Sequence, residues 1–200
     1  MVYSSRRDVQ ANQSNIEIPI MTKDQLGRLY PVEIHPYDPR WPRLFREEKS
    51  RLQAIFGGTV RIEHIGSTAV EGLSAKPTID ILMEKPTGMD ASRIIVTLQD
   101  QGYIHMKEQT RHLMFVKGYT SAGLAAESFH IHIGPIDQEW LWDRTYLRDY
   151  LIAHPAEARR YEELKKKLAA RYRHDRDAYT DAKADYIRRI TEKGKATAPG

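Results

Sequence analysis

Between Val60 and Ile133 the apolar residues come in short blocks and alternations, whereas from Asp137 to Ile190 they return every three or four positions. A period of two belongs to strands and one near 3.6 to helices, so the chain divides into a sheet-forming middle and a helical last third. The clearest alternation is Phe129–Ile133, which sets Phe129, Ile131 and Ile133 on one face and His130 and His132 on the other. Val60–Ile65 and Pro77–Met83 read as further strands, and Tyr103–Lys107 and Arg111–Lys117 as two strands joined by a three-residue turn. Ser121–Glu127 is small and Gly-containing and reads as a loop.

Helical spacing places Trp41, Leu44, Phe45, Leu52, Ile55 and Phe56 on one face, with Asp38 as cap, Pro39 and Pro42 tolerated in the first turn, and Gly57-Gly58 as the stop. Asp90–Gln101 reads as a second helix with Asp90 at its start. In the last third, Asp137 caps a segment to about Ala153, Pro155 opens the next, and Asp177 marks a third. The stripes are Ala158, Tyr161, Leu164, Leu168, Tyr172 and then Tyr179, Ala182, Tyr186, Ile190. Glu162–Lys166 and Glu163–Lys167 pair on the wet side. The expectation is one α/β (α+β) domain, a mixed sheet flanked by helices with a helical C-terminal third. Residues 1–30 read as an N-terminal arm, disordered in part, in which Ile16–Met21 forms an edge strand or lies on the domain. The domain is expected over residues 31–193, with residues 194–200 as a flexible tail.

Composition narrows the chemistry. With no cysteine, disulfides, thiolate metal sites and a cysteine nucleophile are excluded. The 31 basic and 27 acidic residues leave a net charge of +4, a mild excess that reads as solvated helix surface, not as a nucleic-acid footprint. No apolar run approaches the ~20 residues of a membrane span, and the first residues lack the apolar stretch of a signal peptide. A cytoplasmic protein without a membrane partner is expected, and nothing in the sequence specifies an oligomeric state. The G-x-x-x-x-G-K-[ST] phosphate loop, the G-x-S-x-G elbow and the H-E-x-x-H zinc motif are all missing.

The most informative stretch runs from Glu63 to Asp80. A strand ends at Ile65, Gly66 lets a ligand approach the backbone, and Ser67 and Thr68 offer hydroxyls and N–H groups suited to phosphate. The bland alternative is a tight turn and a helix cap. Lys76 is a phosphate contact or a solvated loop charge. Asp80, between Ile79 and Ile81, is a carboxylate among core-type residues; metal coordination or an ion pair with Arg111 or Lys76 would account for it. His130 and His132 share a strand face, as two metal ligands or as polar residues on an open sheet. One of Glu63 and His64 faces the cleft. Arg148 and Lys183 either reach the same cleft or lie on the surface, and Tyr146, Tyr150, Tyr161 and Tyr172 read as packing.

The wording His64-Ile-Gly-Ser-Thr-Ala-Val, Gly72-Leu, Ala75-Lys-Pro and Ile79-Asp-Ile closely resembles the GrpB (UPF0157) family. So do Pro36-Tyr-Asp-Pro-Arg-Trp-Pro upstream and Tyr146-Leu-Arg-Asp-Tyr-Leu with His154-Pro downstream, and the resemblance spans about Val32 to Ile190. It implies a fold like that of the DNA polymerase β nucleotidyltransferases, where a Gly-Ser pair contacts nucleotide phosphates and Asp-x-Asp carboxylates hold magnesium. Gly66 and Ser67 match the pair, and Asp80, twelve residues beyond, matches the first carboxylate. The second carboxylate position is Leu82, and the strand that would supply a third acid presents His130 and His132. Two-metal transfer needs several oxygen ligands to hold two ions about 4 Å apart.

These residues give a set of expectations. Gly66, Ser67, Thr68, Lys76 and Arg148 bind phosphate or nucleotide, and Asp80, His130 and His132 are the catalytic or metal-binding groups. The cofactor is a divalent metal (Mg²⁺, Mn²⁺ or Zn²⁺), and the ligand is a nucleotide or another phosphorylated small molecule. The reaction, if any, is nucleotidyl or phosphoryl transfer; the alternative is a non-catalytic accessory domain. GrpB-like domains also occur fused to dephospho-CoA kinase, which links that alternative to CoA metabolism by analogy.

Overall fold

The computed structural model describes residues 22–107 and 109–198. The expected disorder and edge strand within residues 1–21 lie outside them. The described chain opens with helix α1 (Lys23–Leu29), whose N-terminus carries a reciprocal capping box between Thr22 and Gln25. Tyr30 and Val32 behind it are buried. Ordered packing therefore begins ahead of the Pro31 boundary that apolar content suggested, because a capping box needs no apolar residues.

Helix α2 (Trp41–Phe56) follows with Pro42 in its first turn. Asp38 accepts from the Arg40 N–H at 2.8 Å just before it. Next come β1 (Ile62–Ile65), a 3-10 turn at Ser67–Ala69, and β2 (Ile79–Glu84). Helix α3 (Ala91–Asp100) is capped by the Asp90 side chain, and β3 (Ile104–His105), β4 (Leu113–Thr120) and β5 (Gly123–Gly134) complete the strands. The last third is α4 (Glu139–Trp142), α5 (Arg144–Ala153), α6 (Pro155–Arg171) and α7 (Arg176–Thr197). Among the described residues no helix is long and apolar enough to cross a membrane.

Four readings need correction. Residues 121–127 are not a loop: β5 starts at Gly123 and pairs with β4 through Tyr119↔Leu124 and Thr120↔Gly123 beyond a register shift. Backbone hydrogen bonds hold this end, so its side chains show no alternation. Asp137 does not cap a continuous helix; α4 starts after Gln138 without a side-chain cap, and α5 restarts after Asp143. The cap of α7 is Asp175, which accepts from the Ala178 N–H at 3.0 Å, and not Asp177. Gly194 does not open a tail, since α7 continues to Thr197. A Cβ on Gly194 would sit 2.5 Å from the Tyr146 carbonyl oxygen, so glycine is what lets α7 lie against α5.

The five strands form one mixed sheet in the order β1-β2-β5-β4-β3, with β2 and β5 parallel and the other neighbours antiparallel. Ile79, Ile81, Met83, Phe115, Phe129, Ile131 and Ile133 face α2 and α3 and join Trp41, Leu44, Leu52, Ile94 and Leu98 in the main core. Each such side chain contributes about 1.5–3 kcal/mol by leaving water. The opposite face carries Asp80, Leu82, His130 and His132 toward the C-terminal helices. There Ile65 and Leu82 pack on Leu141 and Trp142, while Val70 and Leu73 pack on Leu151, Tyr161 and Ile190. The space between these two small clusters is a cleft.

Candidate functional site

Parallel pairing aligns Asp80 with His130 and Leu82 with His132, so the period-two geometry that buries Ile79 and Ile81 turns Asp80 and both imidazoles to the other face. Gly66 turns the chain at the end of β1 with φ of 72°, and a Cβ there would lie 2.5 Å from Asp80 Oδ2. No larger residue fits between the turn and the carboxylate. The expected approach of Gly66-Ser67 to Asp80 is therefore present.

A cavity of about 350 Å³ opens here, lined among others by Gly66, Ser67, Thr68, Lys76, Asp80 and His132. The Thr68 hydroxyl lies 3.0 Å from His64 Nε2, and Ser67 and Tyr161 line the cavity together. Neither Glu63 nor His64 lines the cavity: His64 stacks on Phe45 of α2, and Glu63 accepts from Arg148 at 2.9 Å. Arg148 is thereby corrected, for it also donates to the His64 carbonyl and to Asp149 and does not reach the cleft. One turn earlier on the same helix, Arg144 lines the cavity instead. Asp80 pairs with neither Arg111 nor Lys76 as an ion pair; its partner is His130 Nδ1 at 3.2 Å. Arg111 lies over the Trp140 ring.

Of the two places open to Lys183, the structure takes the cleft: Lys183 from α7 lines the cavity with Tyr161 and Tyr179, and so does Lys165 from α6, which no expectation covered. Lys183 Nζ sits 3.9 Å from the centre of the Tyr179 ring, and Lys165 Nζ lies 4.9 Å from that of Tyr161 and donates to the Ser74 carbonyl. Both lysines interrupt apolar stripes, Lys165 between Tyr161 and Leu168 and Lys183 between Tyr179 and Tyr186. A charge on a buried stripe is the signal that marks them. Tyr161, expected only to pack, walls the cleft as well.

Electrostatics follow from this crowding. Burial and the Lys183 charge draw Lys165 down to about 7, and burial and the Lys76 charge draw Lys183 to about 7. Lys76 falls to about 8 through burial and Arg176, against the pull of Asp80. Burial also lowers Arg144. For Asp80 burial acts upward, yet the His130 hydrogen bond and the charges of His130, His132 and Lys76 outweigh it and hold the carboxyl well below its usual range. Burial lowers both His130 and His132. Among the described residues, four cationic side chains thus line this cavity against one carboxylate.

Asp80, His130 and His132 each offer one ligand atom within 4.8 Å of the others. Two nitrogens and one carboxylate suit a single borderline ion such as Zn²⁺ or Mn²⁺ better than paired Mg²⁺. Leu82, at the second carboxylate position, is fully buried. His130 is also bound by the Tyr119 hydroxyl at 2.7 Å, and His132 Nδ1 by His112 Nε2 at 2.8 Å.

Residues 31–193 match the family model described as GrpB protein. Over 171 residues the chain is 42% identical to UPF0157 protein PA4798 of Pseudomonas aeruginosa, covering 84% of this chain and 68% of that one. It is 34% identical over 158 residues to the glutamate-rich protein GrpB of Alkalihalophilus pseudofirmus, covering 77% and 90%. The crystal structure of conserved protein GrpB from Enterococcus faecalis superposes with a TM-score of 0.68 at 28% identity, covering 81% of this chain and 96% of that one.

Proposed function

The chain belongs to the GrpB family, and from that membership together with the charge of the cleft we propose that it binds a phosphorylated small molecule, a nucleotide in first place, between the sheet and the C-terminal helices. The observation that carries this reading is the convergence of Lys76, Arg144, Lys165 and Lys183 on a cavity whose one lining carboxylate is Asp80. Two of these lysines are drawn to about 7. A phosphate in the cleft restores their protonated form, so the cations and the anion stabilise each other on binding. Gly66 and Ser67 bring the turn backbone to the same space, where N–H groups at the start of the 3-10 turn would favour an anion.

On a nucleotidyltransferase-like scaffold the reaction class is nucleotidyl or phosphoryl transfer. Asp80 is the carboxylate that would face the reacting phosphoryl group. By spacing, the Asp80–His130–His132 cluster admits one Mn²⁺ or Zn²⁺, which when bound would polarise a phosphoryl oxygen. A second reading, a non-catalytic nucleotide-binding or accessory domain, is favoured by Leu82: it lies closed in the cluster with Ile65, Leu141 and Trp142 where a second metal-binding acid would stand.

Thermal-shift titration with inorganic pyrophosphate, nucleoside triphosphates and dephospho-CoA, with and without Mg²⁺, Mn²⁺ and Zn²⁺, tests binding. A ligand at 100 times its dissociation constant stabilises the native state by about 2.7 kcal/mol. The shift should shrink in Lys165→Ala and Lys183→Ala. If no phosphorylated compound shifts the wild type, the binding reading falls. If a ligand binds and no phosphoryl or nucleotidyl product appears, the accessory reading stands.

A further inference from the structure

Two hydrogen-bond chains run into the imidazoles of His132, which lines the cleft, and His130, which does not line it but holds Asp80 from behind. Arg176 Nη2 donates to the Tyr119 hydroxyl oxygen at 2.8 Å, since a guanidinium is only a donor. The Tyr119 proton is then free to point at His130 Nε2, 2.7 Å away. On the far side of the ring, His130 Nδ1 meets Asp80 Oδ1 at 3.2 Å. A bare nitrogen facing a carboxylate would set lone pair against lone pair, so Nδ1 carries the hydrogen and Nε2 accepts from Tyr119.

The second chain is fixed by an orphan. His112 Nδ1 is buried and has no hydrogen-bond partner among the described residues, while its Nε2 meets His132 Nδ1 at 2.8 Å. If His132 were the donor, His112 would hold its hydrogen on Nδ1 as a buried N–H without an acceptor. Orphaned buried N–H groups are rarer than orphaned acceptors. His112 therefore donates through Nε2, His132 accepts at Nδ1, and the hydrogen of His132 sits on Nε2, the nitrogen left for the cleft.

We propose that Tyr119 and His112 are positioning residues that set both imidazoles as N–H donors, so that the free cleft is built to receive a phosphate without a metal. His130 gives its N–H to Asp80 and holds that carboxylate in place; His132 offers its N–H to the anion. The spacing of the three-residue cluster fits a metal, but the hydrogen-bond directions do not. A metal on His130 Nδ1 would require the hydrogen to leave that nitrogen and Nε2 to gain one, with the Tyr119 hydroxyl turning away. The inference rests on the anion-binding reading for its ligand, and on the network alone for its tautomers.

Two-bond proton–nitrogen spectra of the histidine rings in EDTA read the tautomers directly. Wild type should show His130 with hydrogen on Nδ1 and His132 with hydrogen on Nε2, and calorimetry in EDTA should show pyrophosphate binding undiminished. In Tyr119→Phe the His130 pattern should become mixed, Zn²⁺ affinity should rise severalfold, and pyrophosphate affinity should fall. His112→Phe, which keeps a ring against Trp140, should release His132 in the same way. The opposite tautomer on either ring in wild type overturns the inference. So does pyrophosphate binding that vanishes in EDTA and returns with metal, or a Zn²⁺ affinity that falls in Tyr119→Phe. If wild-type protein binds no pyrophosphate with or without metal, the anion-binding reading is what fails, and the spectra still decide the tautomers.

Discussion

The two faces of the sheet are made by the same strands, yet they treat charge in opposite ways. On the α2–α3 side the one buried acid among the described residues, Glu48, is fully matched. Tyr103 donates to it at 2.6 Å, Lys117 at 3.0 Å and Arg51 at 2.8 Å, around an otherwise apolar core. On the α5–α7 side the cleft lysines rest on ring faces and a carbonyl, with Asp80 as the one lining carboxylate among the described residues. Equal burial with a closed set of partners makes a core. With partners withheld it makes a site whose stability improves when a ligand arrives.

Substitution of Phe115, fully buried on the closed face, should separate the faces most. Phe115→Ala is expected to lose about 3–5 kcal/mol in denaturant unfolding, as for other buried aromatic truncations. Lys183→Met on the open face should hold or raise stability, because it removes a charge that burial disfavours. If the two variants lose equal stability, the contrast is wrong.

Glu48→Gln should come next, at about 3 kcal/mol, since it leaves the partly buried Lys117 charge uncompensated at the edge of the core. Urea midpoints with an unchanged slope would confirm that only stability moved.

The pH dependence sharpens the contrast. Lys165 and Lys183 titrate at about 7 and Lys76 at about 8 when folded, against 10.5 ordinarily. Between these values the unfolded chain binds more protons than the folded one, so these groups make stability rise with pH from about 7 to about 10.5 and level off below about 7. Pyrophosphate affinity should run the other way and weaken as pH rises through the same lysines. Denaturation across this window should show a positive slope that flattens in a Lys165→Met, Lys183→Met double variant; an unchanged slope there would exclude the lysines as its source.

Arg148→Ala should have the smallest effect, about 1–2 kcal/mol from the lost bonds to Glu63 and the His64 carbonyl, with pyrophosphate affinity unchanged. A loss of affinity would return Arg148 to the cleft.

Much of this architecture was legible from local patterns. The Phe129–Ile133 alternation fixed which way His130 and His132 point, and the Gly66-to-Asp80 stretch located one wall of the cleft. What escaped depended on long-range packing. Arg144 and Arg148 are one helical turn apart, and only the docking of α5 on β1 decides that Arg148 meets Glu63 while Arg144 meets the cavity. Residues 121–127 escaped because a strand end held by backbone pairing needs no apolar code. Tyr119 and His112 have no local signature, for their roles arise from partners across the sheet at His130 and His132.

The parallel pairing of β2 with β5 has a consequence in time. Asp80 and His130 are 50 residues apart in the chain and meet across that junction. The β4–β5 hairpin closes locally and fast, whereas joining it to β2 requires a long loop to close first. Lys165 and Lys183 arrive from later still in the sequence. On this account a refolding chain should pair its hairpin before it closes the cleft, and pyrophosphate capture should lag the return of strand signal.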